Sequence, residues 1–149
     1  AMSDPNTGSA GLATLVLYFI GSVIAISMLV DLGGFKLLMV IIVSEVIAKY
    51  VMVLLAYKGI VAWEGIGSPF TESMKSKTKI IIASVITVPI AYFTIGIPGL
   101  YALGAAALIA FILVRISNKS FGGVSGDVLG ASNEITRLSS FMILVSILS

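Results

Sequence analysis

In 149 residues the chain holds 58% hydrophobic and only 11% charged side chains, against about 25% charged in a soluble domain, so the composition is that of an integral membrane protein. A net charge of +2 is too small to suggest a nucleic-acid partner. With no histidine and no cysteine, histidine general bases, thiol nucleophiles, disulfides and the usual zinc ligands are excluded. Chemistry would run on carboxylates, hydroxyls, Lys/Arg, backbone amides and a hard cation such as Mg2+.

The first ten residues, AMSDPNTGSA, lack the basic n-region of a secretory signal peptide. About 20 apolar residues span a bilayer, and five stretches qualify as candidates. The first runs from about Gly11 to Val30. The second runs from about Phe35 to Tyr57 and contains Glu45 and Lys49. The third, about Ile80 to Ile97, contains Pro89, which should kink it rather than end it. Pro98-Gly99 is a turn signal that separates it from the fourth, about Gly99 to Ile116. The fifth starts near Asp127 and runs to the C-terminus, polar in its first half and apolar in its second. No soluble domain and no internal repeat is visible. The expected fold is all-α: one polytopic membrane unit of about five transmembrane helices, residues 1–149.

If all five stretches cross, Lys58, Lys75, Lys77, Lys79, Arg115 and Lys119 share one face and only Lys36 lies on the other. That asymmetry predicts a cytoplasmic face for the lysine-rich side and an outside C-terminus, in the cell's inner membrane. It also gathers three glycine-rich segments on that face: SDPNTGSAG (3–11), WEGIGSPF (63–70) and FGGVSGD (121–127), each with a carboxylate, Asp4, Glu64 and Asp127. The lysines 75, 77 and 79 read most simply as a topology determinant beside anionic lipid. Trp63, Tyr57 and Phe70 read as an interfacial belt, and Asp31 as a turn on the far side.

The segment FGGVSGDVLGASNEITR (121–137) is out of character for a span. If a helix begins near Asp127, unpaired N–H groups from Gly122 to Asp127 form a start suited to phosphate. Asp127 could instead hold Mg2+ bridging to a phosphate. Asp127, Ala131 and Glu134 share a helix face, with Asp127 and Glu134 about 10 Å apart along the axis. One ion would therefore need carboxylates from other segments. The blander reading is also open: Gly122, Gly126 and Gly130 recur every four residues, a close-packing pattern, and Asp127 could be an N-cap. Glu45 and Lys49 lie one turn apart. They are either a self-neutralised pair or, given the cost of ionisable groups at that depth, a pair facing a cavity with Lys49 aimed at an anionic substrate. Asp4 reads first as a cap or turn residue.

With these residues in view, the chain resembles the cobalamin synthase family (adenosylcobinamide-GDP ribazoletransferase). That family carries GG-x-[TS]-GD-x-x-GA-x-x-E opening a last membrane helix, and Gly122, Gly123, Ser125, Gly126, Asp127, Gly130, Ala131 and Glu134 match it. Met2, Asp4, Gly8 and Gly11 match an M-K-D-x-R-x-G-x-x-G stretch, with Ser3 and Asn6 in place of its Lys and Arg. Lys49-Tyr50 stands where the family has Arg-Trp, Gly65-Ile66-Gly67 and Phe70 match its G-L-G-x-x-F loop, and Arg137 stands where a second Glu is common.

The resemblance implies a membrane transferase that joins adenosylcobinamide-GDP to α-ribazole or its 5′-phosphate, releases GMP and requires Mg2+. It implies a catalytic and metal role for Asp127, a metal-binding or supporting role for Glu134, and a weaker metal role for Asp4. Gly122, Gly123, Ser125, Gly126 and Lys49 would contact phosphates. The family's acidic D-G-L-A-D-x-x-D-G motif lies upstream of the M-K-D stretch. The chain is thus expected to be the C-terminal portion of a longer member and inactive by itself. The implied partners are the two substrates, the lipid bilayer, and either a second copy or the missing N-terminal half. The rival readings are a small helical transporter, suggested by intramembrane Glu45 and Lys49, and a non-catalytic membrane subunit. A CDP-alcohol phosphotransferase is a third, but its D-G-x-x-A-R signature is absent.

Overall fold

A computed structural model describes residues 9–31, 33–60 and 68–148, and the side chains of 13–31, 33–60 and 71–148. Its six helices are α1 (Ser9–Val30), α2 (Gly34–Lys58), α3 (Ser68–Ser73), α4 (Lys77–Ile95), α5 (Ile97–Ser120) and α6 (Gly126–Leu148). No strand occurs among the described residues. Helices α1, α2, α4 and α5 are long and apolar enough to cross a membrane. Helix α6, with 23 residues, has the length at 1.5 Å per residue, but its polar first half lowers its hydropathy. The chain is an all-helical, multi-pass membrane protein.

Local chemistry sets the helix ends. The turn between α1 and α2 runs through Asp31 to Gly33, whose φ of +91° suits glycine, and the Gly33 amide donates to Val30 O at 3.1 Å. Pro89 lies inside α4 without ending it. The break between the third and fourth spans falls at Gly96 rather than at Pro98-Gly99. Gly96 takes φ +79° and returns its amide to Tyr92 O at 2.7 Å. Pro98 then sits in the first turn of α5, where its missing N–H costs nothing. Gly99 is buried, and a Cβ there would collide with the Ala91 carbonyl of α4. Its work is close helix packing. The short α3 inside the 58–79 segment was not anticipated.

Helix α2 is central: it touches α1, α3, α4, α5 and α6, and its longest seam is with α6. Val43, Ile47, Val51 and Leu55 of α2 are fully buried, joined by Phe141, Leu144 and Val145 of α6 and by Ala102, Ala106 and Ala110 of α5. Side-chain contacts fix the directions. Tyr18 and Gly21 of α1 meet Arg137 and Leu138 of α6, so those helices run parallel. Glu45 and Lys49 of α2 meet Arg137 and Asn133, so α2 and α6 run antiparallel. Asn118, near the end of α5, accepts from the Ile60 amide just after α2 at 3.4 Å. The ends of α2 and α5 and the start of α6 therefore share one end of the bundle, with Lys58, Arg115 and Lys119. Lys36, near the start of α2, is at the other.

Candidate functional site

The glycine-rich segment is a tight connector between α5 and α6. Phe121 closes α5 with its amide on Ser117 O at 2.9 Å, and the Gly123 amide returns to the same carbonyl at 3.2 Å. The buried Ser117 hydroxyl donates to Gly123 O. Gly122 and Gly123 adopt φ of +71° and +153°, which explains the double glycine. Val124 is buried, and its amide donates to Ile60 O at 2.6 Å. A Cβ at Gly59 would collide with the Val124 side chain, so the end of α2 and the connector are fitted together.

This packing takes two amides out of the expected phosphate cradle. The Gly123 and Val124 amides are spent inside the protein. The Gly126 and Asp127 amides, at the start of α6, have no partner among the described residues. The cap of α6 is Ser125: its hydroxyl accepts from the Val128 amide at 3.4 Å and its carbonyl from Leu129 at 3.0 Å. Asp127 is therefore not the N-cap. It lies in the first turn, exposed and with no side-chain partner among the described residues, where the helix dipole favours an anion. Among the described residues the close-packing reading of Gly122, Gly126 and Gly130 finds no support: Gly122 and Gly130 meet nothing within 4 Å and Gly126 is exposed.

Two turns further along α6 a polar network crosses the bundle. Arg137 Nε lies 2.6 Å from Glu45 Oε1, an ion pair by distance whose N–H is not aligned for a good hydrogen bond. Arg137 Nη2 lies 3.0 Å from Glu134 Oε1, and Nη1 donates to Tyr18 Oη at 3.2 Å. Asn133 Nδ2 donates to the same Glu134 oxygen at 3.0 Å, and Lys49 Nζ donates to Asn133 Oδ1 at 2.8 Å. Two carboxylates and two cations thus offset one another, which keeps ionisable groups tolerable at this depth. Glu45 and Lys49 are not paired with each other as their spacing suggested. Each reaches across to α6, where Arg137 and Asn133 offer better-placed partners. Tyr50, next along α2, bonds Ser84 of α4 at 2.9 Å.

Cavities flank the network. One of about 350 Å3 between α1, α2 and α6 has Tyr18, Glu45 and Arg137 in its wall. Another of about 300 Å3 between α2 and α4 is lined by Glu45, Lys49, Tyr50 and Thr87. Lys49 is exposed, and its ammonium keeps two donors beyond the bond to Asn133.

Of the expected site residues, the structure joins Glu134 and Lys49 through Asn133, and sets Ser125 and Asp127 at the head of the same helix. Asp4, Glu64 and the matching glycines 8, 65 and 67 lie outside the described residues. Among the described residues no three acidic side chains group to hold a metal ion. Asp127 offers one unpartnered carboxylate, and the bonded oxygen of Glu134 is committed to Arg137 and Asn133. These residues alone do not complete a Mg2+ site. Asn133 and Tyr18 were missed. A side-chain amide beside a glutamate in a span was a usable signal for the first, whereas nothing in the sequence marks the second.

A family model described as cobalamin-5-phosphate synthase matches residues 1–145. A protein of Archaeoglobus fulgidus named adenosylcobinamide-GDP ribazoletransferase is 37% identical over 94% of this chain and 57% of its own length. A protein of the same name from Pyrococcus abyssi is 35% identical over 97% and 59%, and one from Methanocella arvoryzae 31% identical over 99% and 60%. The chain thus spans under two thirds of the length of the curated relatives it matches. No solved structure matches it significantly. A family match over residues 1–145, nearly the whole chain, places this chain in the cobalamin-5-phosphate synthase family.

Proposed function

We propose that this chain supplies part of the active centre of a membrane-bound transferase that joins adenosylcobinamide-GDP to α-ribazole or its 5′-phosphate and releases GMP. The single observation that carries the reading is the head of α6. An exposed carboxylate, Asp127, and two backbone amides without partners stand together, in the segment that carries the motif resemblance, at the cation-rich end of the bundle.

The reaction forms a bond from a ribazole hydroxyl oxygen to the phosphorus nearest the cobinamide. It breaks the P–O bond linking the two phosphoryl groups, and GMP leaves with that electron pair. The hydroxyl proton must pass to a base. The Gly126 and Asp127 amides and the positive end of the α6 dipole would hold phosphate oxygens, and fixing both reactants there lowers the entropic barrier. Lys49 would neutralise phosphate charge from the cavity beside the network. Mg2+ enters as a further proposal: Asp127 would help hold it with carboxylates outside the described residues, Asp4 among them. The lysine-rich end is assigned to the cytoplasm, which a cysteine at Ser76 would test. Labelling of Ser76→Cys by an impermeant reagent added only from outside would overturn that orientation.

The function is tested by turnover of the whole reading frame containing this chain, in lipid with Mg2+, following corrinoid product and GMP. Wild type should turn over, and Asp127→Asn should lose at least about a hundredfold in rate, the scale of lost general acid–base or charge stabilisation, at unchanged folded yield. Near-normal Asp127→Asn would remove Asp127 from the site. No product from folded wild type would overturn the assignment and leave transport as the stronger reading.

A further inference from the structure

Away from the α6 seam, a groove of about 310 Å3 opens between α2 and α5. Leu54, Ala107, Ala110 and Val114 line it, and Lys58 and Arg115 stand at one end of it. Lys58 is the last residue of α2, and Arg115 lies near the end of α5, so both cations are at the same bundle end. From Arg115 the apolar wall descends to Ala107, about 12 Å along the helix axis. The alanines make room where leucines would have closed the gap.

Neither cation is ion-paired among the described residues. Each lies against an aromatic ring instead: the Arg115 guanidinium 4.5 Å from the Phe111 centroid and Lys58 Nζ 5.6 Å from that of Tyr57. Such contacts leave the outer donors of both groups available. An apolar slot topped by an ammonium and a planar guanidinium complements one kind of molecule in a bilayer. That molecule has an acyl chain for the slot and an anionic phosphate for the fork.

We propose that the α2–α5 groove is a binding site for an anionic phospholipid, its phosphate between Lys58 and Arg115 and an acyl chain along Ala107 and Ala110. No described residue of α6 or of the connector before it lines this groove, and the proposal does not depend on the transferase reading.

The test is native mass spectrometry of the purified protein, titrated with phosphatidylglycerol and, in parallel, with phosphatidylcholine of the same chains. Phosphatidylglycerol should be retained at least tenfold more tightly. The Lys58→Gln/Arg115→Gln variant should weaken it about thirtyfold, the usual worth of two interfacial cations. Lys36→Gln, at the opposite end, should change nothing. Ala107→Phe keeps both cations and should lose phosphatidylglycerol by plugging the slot, a check that stands even if the double variant fails to fold. Equal retention of the two lipids, or wild-type binding by either groove variant, would overturn the proposal. So would displacement of phosphatidylglycerol by excess inorganic phosphate, which would make the site one for free phosphate.

Discussion

Helices α4 and α6 invert the arrangement of a water-soluble bundle. Beyond Lys77 and Lys79 in its first turn, α4 is almost wholly apolar, yet it buries only Thr87 and Ala91. Val85 is 65% and Phe93 83% exposed. Helix α6 carries Asp127, Asn133, Glu134, Arg137 and a run of hydroxyls, and it buries Ser132, Asn133, Thr136 and Ser140 alongside Phe141 and Leu144. In lipid an apolar side chain gains nothing by turning inward, because the acyl chains are as apolar as leucine. Polar groups and close backbone packing decide which helix is central. Helix α6 is held by what lipid would not tolerate, and α4 by apolar packing of Ala91, Ile90 and Ile95 on the core, the Tyr50–Ser84 bond and the close approach at Gly99.

The largest expected effect would break this comparison outright. Val85→Lys puts a charge on the outward face of α4 and should cost about 3 kcal/mol of membrane insertion, read as the inserted fraction in a translocation assay. Normal insertion would mean that α4 faces protein or water there. Next, Arg137→Met strips the partner from Glu45 and Glu134 at once. Breaking a buried pair costs about 3–5 kcal/mol. These groups are partly exposed, so about 2 kcal/mol of stability in detergent is expected. Adding Glu45→Gln should recover part of that loss in a double-mutant cycle. Simple additivity would show that the Arg137–Glu45 contact carries no energy.

A smaller loss is expected where α4 does pack. Gly99→Ala should lower stability by about 1 kcal/mol, since the new methyl meets the Ala91 carbonyl. An unchanged denaturation midpoint would mean that the two helices are not in close contact. The smallest effect belongs to the open side of α6. Gly130→Ala meets nothing and should raise stability by about 0.5 kcal/mol through helix propensity. A clear destabilisation would show that another surface covers this face.

The sequence alone determined the elements and the oddity among them. Runs of about 20 apolar residues, the lysine asymmetry and the glycine-acid segment 121–137 are local patterns, and the five long helices follow them within a few residues. The family was legible for the same reason, because its motif is contiguous. Tertiary structure alone decided the partners. Lys49 meets Asn133 across 84 residues of chain, and Tyr18 meets Arg137 across 119, whereas the sequence offered Lys49 either Glu45 one turn away or a cavity. The spent amides of Gly123 and Val124, the cap at Ser125 and the bareness of Gly130 likewise depend on how α2 and α5 sit beside α6. Hydropathy reports the transfer of a segment into lipid, one segment at a time. Which carboxylate meets which cation is a competition among helices, settled only when they are packed together.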